Sequence, residues 1–355
     1  MSAAVAPRSP AARSAPRTYQ RYRVSVQEYV TFREQGFLVV KGLVSEDDVA
    51  EIREHTEDIL YQRVALPGVA PAPVATPGSG GHSAILDPSA VEDIARRYVR
   101  IHMLHRHLEI HERYLLHPRI LDVLEALIGP DVLAMQTMLF IKPPGSDGQG
   151  YHQDSYYIPT LPDSLCGAWL AIDPADEANG CMRFTVGSQH EPIYPDAHNR
   201  KGHYPLGELQ GLRVIDNASD TDEERNGLTP IARKYAGHEV LVPAAPGDVV
   251  FFAGHVLHRS FANTTRDRFR RSFVGHYANA RSYTQWGGGN QVHILARGTT
   301  HLAYAQPKFG TPCAANQAGS AKDAAAPAAT MMADGDMMAA TPTERERLDP
   351  ATHQY

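Results

Sequence analysis

The stretch GDVVFFAGHVLHRSFANTTRDRFRRSFVGHY, residues 247–277, contains three short apolar runs cut by turns. VVFFA ends at Gly254, VLHRSF ends at ANTTRD, and the chain then returns as RFRRSFVGHY. β-Branched and aromatic runs of this length, bounded by Gly, Asn and Asp, predict strands. The same texture recurs upstream in VLAMQTMLFIKPPG (132–145), CGAWLAID (166–173), GCMRFTVGS (180–188) and GHEVLVP (237–243). Many short strands separated by turn residues predict a closed sandwich or barrel. Asn179-Gly180 has the chemistry of a hairpin turn.

The first third of the chain differs. Residues 26–60 predict helix, strand and helix, with FLVVKG as the strand and Ser45 and Asp48 as a helix-opening capping pair. LPGVAPAPVATPGSGG (66–81) is a loop by its Pro and Gly content. In the His-rich stretch 96–129, Ile120, Leu121, Leu124 and Leu127 recur at helical spacing. The histidines between His102 and His117 are then expected on a solvated or partly buried helix face. The fold class is mainly β with flanking helices.

Composition narrows the partners. The chain has 355 residues, 43% hydrophobic and 21% charged, which describes a soluble globular protein. A net charge of −6 gives no basic footprint for nucleic acid. No run of 18 apolar residues exists, so no spanning helix and no membrane partner are expected. Cys166, Cys181 and Cys313 lie far apart, neither a disulfide framework nor a zinc-finger spacing, and suit a reducing, cytoplasmic setting. Residues 1–26 carry Arg, Ser, Ala and Pro with no acid, and are expected to be a disordered basic tail rather than a targeting segment. Residues 27–312 form the folded domain, and 313–355 a disordered low-complexity tail. The long polar segment Ala197 to Gly237 is expected to cover a site. A monomer or homodimer is expected.

The chemistry starts at GQGYHQDSYYIPTLPDS (148–164), with His152 and Asp154 one residue apart. In a chain with 18 histidines a His-x-Asp tripeptide arises by chance, so its setting must decide. In a strand, residues i and i+2 point the same way. His55-x-Glu57 and His107-x-Glu109 lie in helix-like segments, where i and i+2 diverge by about 200°. His152 and Asp154 are therefore the favoured pair. For a third ligand, His258 lies within a strand-like run on the face of Val256 and Ser260, whereas His255 follows Gly254 at a turn. Two His and one carboxylate leave iron(II) open positions for a cosubstrate and O2. A hairpin centred near Thr264–Thr265 would set His258 opposite positions 270 to 272. Arg270 could then grip the far carboxylate of a dicarboxylic cosubstrate through its planar fork. Ser260 could add a hydrogen bond. A surface cluster of Arg266, Arg268, Arg270 and Arg271 is the alternative.

MQTMLFIKPPG, HQD, CGAWLAIDPADEANGCMRFTVGSQH, GDVVFFAGHVLHRSFAN and FRRS, in this order, resemble the phytanoyl-CoA dioxygenase family of iron(II)- and 2-oxoglutarate-dependent oxygenases. The resemblance covers roughly residues 27 to 310. It implies a double-stranded β-helix (jelly-roll) core with helices packed around it. It also implies His152, Asp154 and His258 as iron ligands, Arg270 as the cosubstrate arginine, and Met138, Trp169 and Ser260 beside 2-oxoglutarate. The implied activity is hydroxylation of a small-molecule substrate, with O2 and 2-oxoglutarate consumed and succinate and CO2 released. Asp154 favours hydroxylation, because halogenases of the family leave that ligand position vacant. The interval from His258 to Arg270 is one residue longer than the family's eleven, which keeps Arg271 as an alternative clamp. Trp169 and Met138 also suit core packing, and His276 and His293 are secondary candidates for the pocket. A zinc hydrolase built on the same three ligands, or a non-enzymatic binding jelly roll, are the competing functions. Nothing in the sequence selects the substrate.

Overall fold

The computed structural model describes residues 17–61, 63–64, 66, 73–74, 84–85, 100–195, 213–284, 293–300, 305 and 307–309. Met1–Ala318 forms one unit, and a second, Gly319–Tyr355, lies outside the described residues, as does all of the expected C-terminal tail. Helix α1 (Val26–Gln35) opens on a reciprocal cap: Ser25 Oγ accepts from the Glu28 amide, and the Glu28 carboxylate accepts from the Ser25 amide. It ends at Gly36, whose φ of 81° only glycine adopts freely. Strand β1 (Phe37–Val40) follows, then α2 (Glu46–Leu60), where Ser45 Oγ accepts from the Asp48 amide. β2 (Pro73–Val74) and β3 (Ala84–Ile85) pair with each other. Then come β4 (Arg100–His102), α3 (Glu109–Leu115), α4 (Pro118–Ile128), β5 (Val132–Lys142), β6 (Gln149–His152) and the one-turn α5 (Asp154–Tyr157). The rest is β7 (Cys166–Ala171), β8 (Met182–Thr185), α6 (Thr229–Ala232), β9 (Glu239–Val242), β10 (Val249–Ala253), β11 (His258–Ser260), β12 (Arg270–Asn279) and β13 (Ile294–Arg297).

The strands form two antiparallel layers. The larger runs β1-β10-β7-β12-β5-β13, with β4 also pairing β5; the smaller runs β6-β11-β8-β9. Alternation gives the larger sheet two apolar faces. Its outer face, including Leu139, Ile141, Leu170, Phe251, Phe273 and Tyr277, packs with α2, α3 and α4 through Ile52, Ile59, Leu115, Leu121 and Leu124. Its inner face meets the smaller sheet through Met138, Trp169, Val250, Phe252 and Val274 against Met182 and Phe184. Each such buried side chain contributes about 1.5–3 kcal/mol relative to exposure, so both seams hold the architecture. This is the jelly-roll sandwich with flanking helices.

Three expectations change. Residues 17–22, expected in the basic tail, are tied to the fold: Arg17 bonds Asp48 and Glu51, Tyr19 bonds Asp48, and the Tyr22 amide donates to Asp122. Acidic side chains on α2 and α4 draw in that basic segment; residues 1–16 are outside the described set. The histidines at 105, 111 and 117 are buried: His105, in the turn before α3, meets Thr137 of β5, His111 on α3 packs on the Phe273 ring of β12, and His117, ahead of α4, meets Asp48 of α2. β11 and β12 do not form a hairpin: they lie in different sheets. Of the expected cover, residues 197–212 are outside the described set. Its described remainder docks beside β6, with Ile215, Leu228 and Ile231 packed on Tyr151 and Leu257.

Candidate active site

β6 and β11 pair with His152 directly opposite His258, so both imidazoles leave the smaller sheet on its inner face. Each ring is aimed by its own backbone. His152 Nδ1 lies 2.9 Å from Gly150 O, and His258 Nδ1 lies 3.0 Å from Val256 O. A carbonyl only accepts, so each Nδ1 donates to it and each Nε2 is turned toward the pocket. Asp154 is not in the strand, as the i, i+2 argument assumed; it is the first residue of α5. The turn nevertheless brings its Oδ1 to 3.6 Å from His152 Nε2 and 3.7 Å from His258 Nε2. Its Oδ2 is 2.9 Å from His276 Nε2 on β12. The ligand atoms of His152, Asp154 and His258 lie within 4.8 Å of one another.

The electrostatics suit a cation. Burial alone would raise the Asp154 carboxyl, but the facing imidazoles of His258, His276 and His152 outweigh it and hold it well below the usual carboxylate range. Burial, helped by the His258 ring, pushes His152 down to about 3. The pocket therefore offers an ionised carboxylate and unprotonated imidazole nitrogen, the forms that ligate metal. Metal–ligand bonds of about 2.0–2.2 Å allow one ion to bridge donors at these separations, so the set fits iron(II). His255 is elsewhere, with Nδ1 against Glu191 O.

The remaining expected residues gather on the inner face of the larger sheet. Val274 has Met138 opposite on one side and Trp169 on the other. Arg270 is buried, with its guanidinium 5.6 Å from the centre of the Trp169 ring. Ser260 Oγ lies across the sandwich, 3.1 Å from Lys142 Nζ. Arg271 points to the other face. Its Nε and Nη2 meet the two Asp173 oxygens at 2.6 and 2.9 Å, and Nη1 meets Glu57 at 3.1 Å. His293 is buried just before β13.

Two residues were missed or underweighted. Lys142 shares a face with Met138 and Phe140, and His276 shares a face with Arg270 and Val274. Alternation along β5 and β12 was signal enough for both. Gln136, opposite His276 in the β5–β12 ladder, reaches His102 Nδ1 at 3.2 Å, extending a polar wall away from Asp154.

The sequence profile described as phytanoyl-CoA dioxygenase (PhyH) matches residues 32–272. The peroxisomal phytanoyl-CoA dioxygenase of Rattus norvegicus is 29% identical over 278 residues, covering 76% of this chain and 73% of the relative. The Homo sapiens protein of that name is 27% identical over 277 residues, covering 76% and 73%. Among solved structures, the epimerase SnoN in complex with Fe3+, alpha ketoglutarate and nogalamycin RO has a TM-score of 0.53 at 20% identity, covering 79% of this chain and 94% of that one. EctD from S. alaskensis with 2-oxoglutarate and 5-hydroxyectoine has a TM-score of 0.53 at 18% identity, covering 77% and 80%. At these identities the two structures show the shared fold. The profile match across most of the chain shows that it belongs to the phytanoyl-CoA dioxygenase family, as a 2-oxoglutarate-dependent dioxygenase that uses iron(II) and O2.

Proposed function

We infer that the chain hydroxylates a small organic molecule, with iron(II) held by His152, Asp154 and His258 and 2-oxoglutarate bound between that centre and Arg270. The observation that carries this is a His-Asp-His donor set, two imidazoles from the smaller sheet and the α5 carboxylate, together with a buried arginine without a carboxylate partner among the described residues on the larger sheet. Iron(II) bound there would supply the redox chemistry: O2 and 2-oxoglutarate become succinate and CO2, and one oxygen atom enters a substrate C–H bond. The protein's part is positional. His276 holds Asp154 Oδ2, so Oδ1 would be the carboxylate oxygen offered to the ion. Arg270, Ser260, Trp169 and Met138 fix the cosubstrate, its far carboxylate on the guanidinium fork.

The name of the relatives, phytanoyl-CoA dioxygenase, points to an acyl-CoA as one class of small molecule to screen. A cytoplasmic setting goes with the free buried cysteines Cys166 and Cys181, although the Rattus norvegicus relative is named as peroxisomal; cell fractionation decides. Among the described residues no helix is long and apolar enough to cross a membrane. Sedimentation separates monomer from homodimer. The decisive experiment is anaerobic titration of the apo protein with iron(II), with and without 2-oxoglutarate, read by visible absorbance. A weak charge-transfer band that needs both supports the assignment. Zinc-dependent hydrolysis without that band would support the hydrolase instead.

A further inference from the structure

Lys142 and Arg270 are directly opposed in the β5–β12 ladder, and both face the interior. They are 7% and 4% exposed. Among the described residues neither makes an ion pair within 4.0 Å. Lys142 Nζ donates to Ser260 Oγ at 3.1 Å and also to the Phe261 carbonyl. Arg270 has one long contact, Nη1 to Ser272 Oγ at 3.4 Å, and its Nε has no partner. Two cationic groups buried side by side without an anion cannot both stay charged without a large cost, and both retain unused donors. The fold keeps this arrangement at the end of the sandwich where Ser260 and Trp169 also converge.

Resting on the site assignment above, we propose that Lys142 is a second cationic binder of the far carboxylate of 2-oxoglutarate, and that it takes up a proton as the dianion enters. Burial, reinforced by the neighbouring Arg270 guanidinium, holds the Lys142 ammonium well below its usual range in the empty protein. The groups facing it are Arg270 from β12, the Cys181 thiol ahead of β8, Asp147 beyond β5, and Ser260 and Phe261 from β11 and its end. Asp147 acts only from a distance. A carboxylate placed against both cations reverses the balance: it favours the charged amine, and a proton moves from solvent to Nζ. No bond to carbon changes, and the proton is the only species exchanged.

The test is calorimetric and needs no turnover. Manganese(II)-loaded protein is titrated near neutral pH with 2-oxoglutarate and with 2-oxobutyrate, which keeps the oxoacid end but lacks the far carboxylate. Each titration is run in two buffers of different ionisation heat, giving the protons taken up per ligand. The wild-type protein should take up protons with 2-oxoglutarate and none with 2-oxobutyrate. Lys142→Met should abolish that uptake and weaken 2-oxoglutarate by roughly tenfold or more, leaving 2-oxobutyrate unchanged. Equal uptake with both ligands, or unchanged 2-oxoglutarate affinity in a folded Lys142→Met protein, overturns the role of Lys142. If Lys142→Met does not fold, the wild-type proton counts decide alone. Failure of 2-oxoglutarate to bind the wild-type protein at all removes the site assignment itself, a different result from either.

Discussion

Arg270→Ala and Arg271→Ala should give opposite phenotypes, although the two residues are neighbours. Arg270 is buried on the inner face with no carboxylate partner in the described protein. Its loss leaves the cosubstrate's far carboxylate without its fork, costing about 3–5 kcal/mol for a buried charge whose partner is removed. The persisting Lys142 draws that towards the lower end, a rise in 2-oxoglutarate Kd of roughly 10²-fold. Stability should barely change, because relief of an unpaired buried cation offsets the packing lost against Trp169. Arg271 is the reverse. It grips both Asp173 oxygens at 2.6 and 2.9 Å and Glu57 at 3.1 Å. Asp173 would keep the residue-271 amide at 3.0 Å and Arg53 at 3.5 Å, so the loss is about 2–3 kcal/mol rather than the full cost of an orphaned charge. In a domain of this size that is a fall in Tm of roughly 4–8 °C, with Kd changed less than about threefold. The assay is paired: thermal unfolding and 2-oxoglutarate titration of both variants with manganese(II) present. A large Kd effect at Arg271 with a Tm drop at Arg270 would refute the assignment of faces. No Kd effect at either would refute the clamp.

Three further outcomes follow from particular contacts. His276→Ala frees Asp154 Oδ2, and losing a partner that orients a ligand should weaken metal binding by about 10–100-fold, read by metal titration of the apo protein; unchanged affinity would mean that α5 alone orients the carboxylate. Acid should destabilise the α2–α3 seam, where the His55 and His111 rings are 5.1 Å apart. Burial pushes His55 down to about 4 and His111 well below 6.5. The unfolded chain binds these protons from about pH 6.5 and the folded one only much lower, so stability is full above that value and falls towards pH 4, by about 3 kcal/mol from His55 alone. Denaturant unfolding across this window should show the slope, and His111→Phe should flatten it; a level profile in the wild-type protein would count against it. Gly150→Ala would place a Cβ 1.8 Å from Asp220 O, forcing residues 213–227 off β6 and disturbing the carbonyl that orients His152. Proteolysis within 213–227 should accelerate and metal affinity should fall together; either alone would break the proposed link.

The strands were legible because alternation survives in short runs. Arg270, Ser272, Val274 and His276 share a face, and so do Met138, Phe140 and Lys142, as the ladder bears out. The connection between β11 and β12 was not legible. ANTTRD has hairpin chemistry, but Asn263 uses its side chain to bind Lys142 O and Arg268 O, and accepts from the Thr265 amide. That locks a crossing from one sheet to the other. A turn that crosses sheets uses the same Asn and Thr chemistry as one that returns along its own strand. The counting argument for Arg270 therefore rested on the wrong geometry: its face comes from alternation along β12, and the extra residue is absorbed in the crossing. α5 escaped notice because one turn is too short for a helical period. The buried histidines were misread because polarity alone does not distinguish a solvated imidazole from a neutral one packed between helix and sheet.

The candidate site is divided between the two layers, and that division bears on what it can select. Its candidate metal-binding atoms belong to β6, β11 and α5, and the two imidazoles are aimed by carbonyls two residues back, so their direction follows the backbone of the smaller sheet. The cations belong to β5 and β12, near the centre of the larger sheet. What fixes the distance between them is the aromatic interior: His258 lies 5.5 Å from the Phe184 ring and 4.9 Å from Phe252, and Phe37 stacks on Phe184 at 4.6 Å. These rings span the gap between the sheets and cannot be compressed without steric cost. A cosubstrate held at one end by a metal and at the other by Arg270 and Lys142 must match that spacing. Preference for a dicarboxylate of one length would therefore be a property of core packing as much as of any residue that touches it.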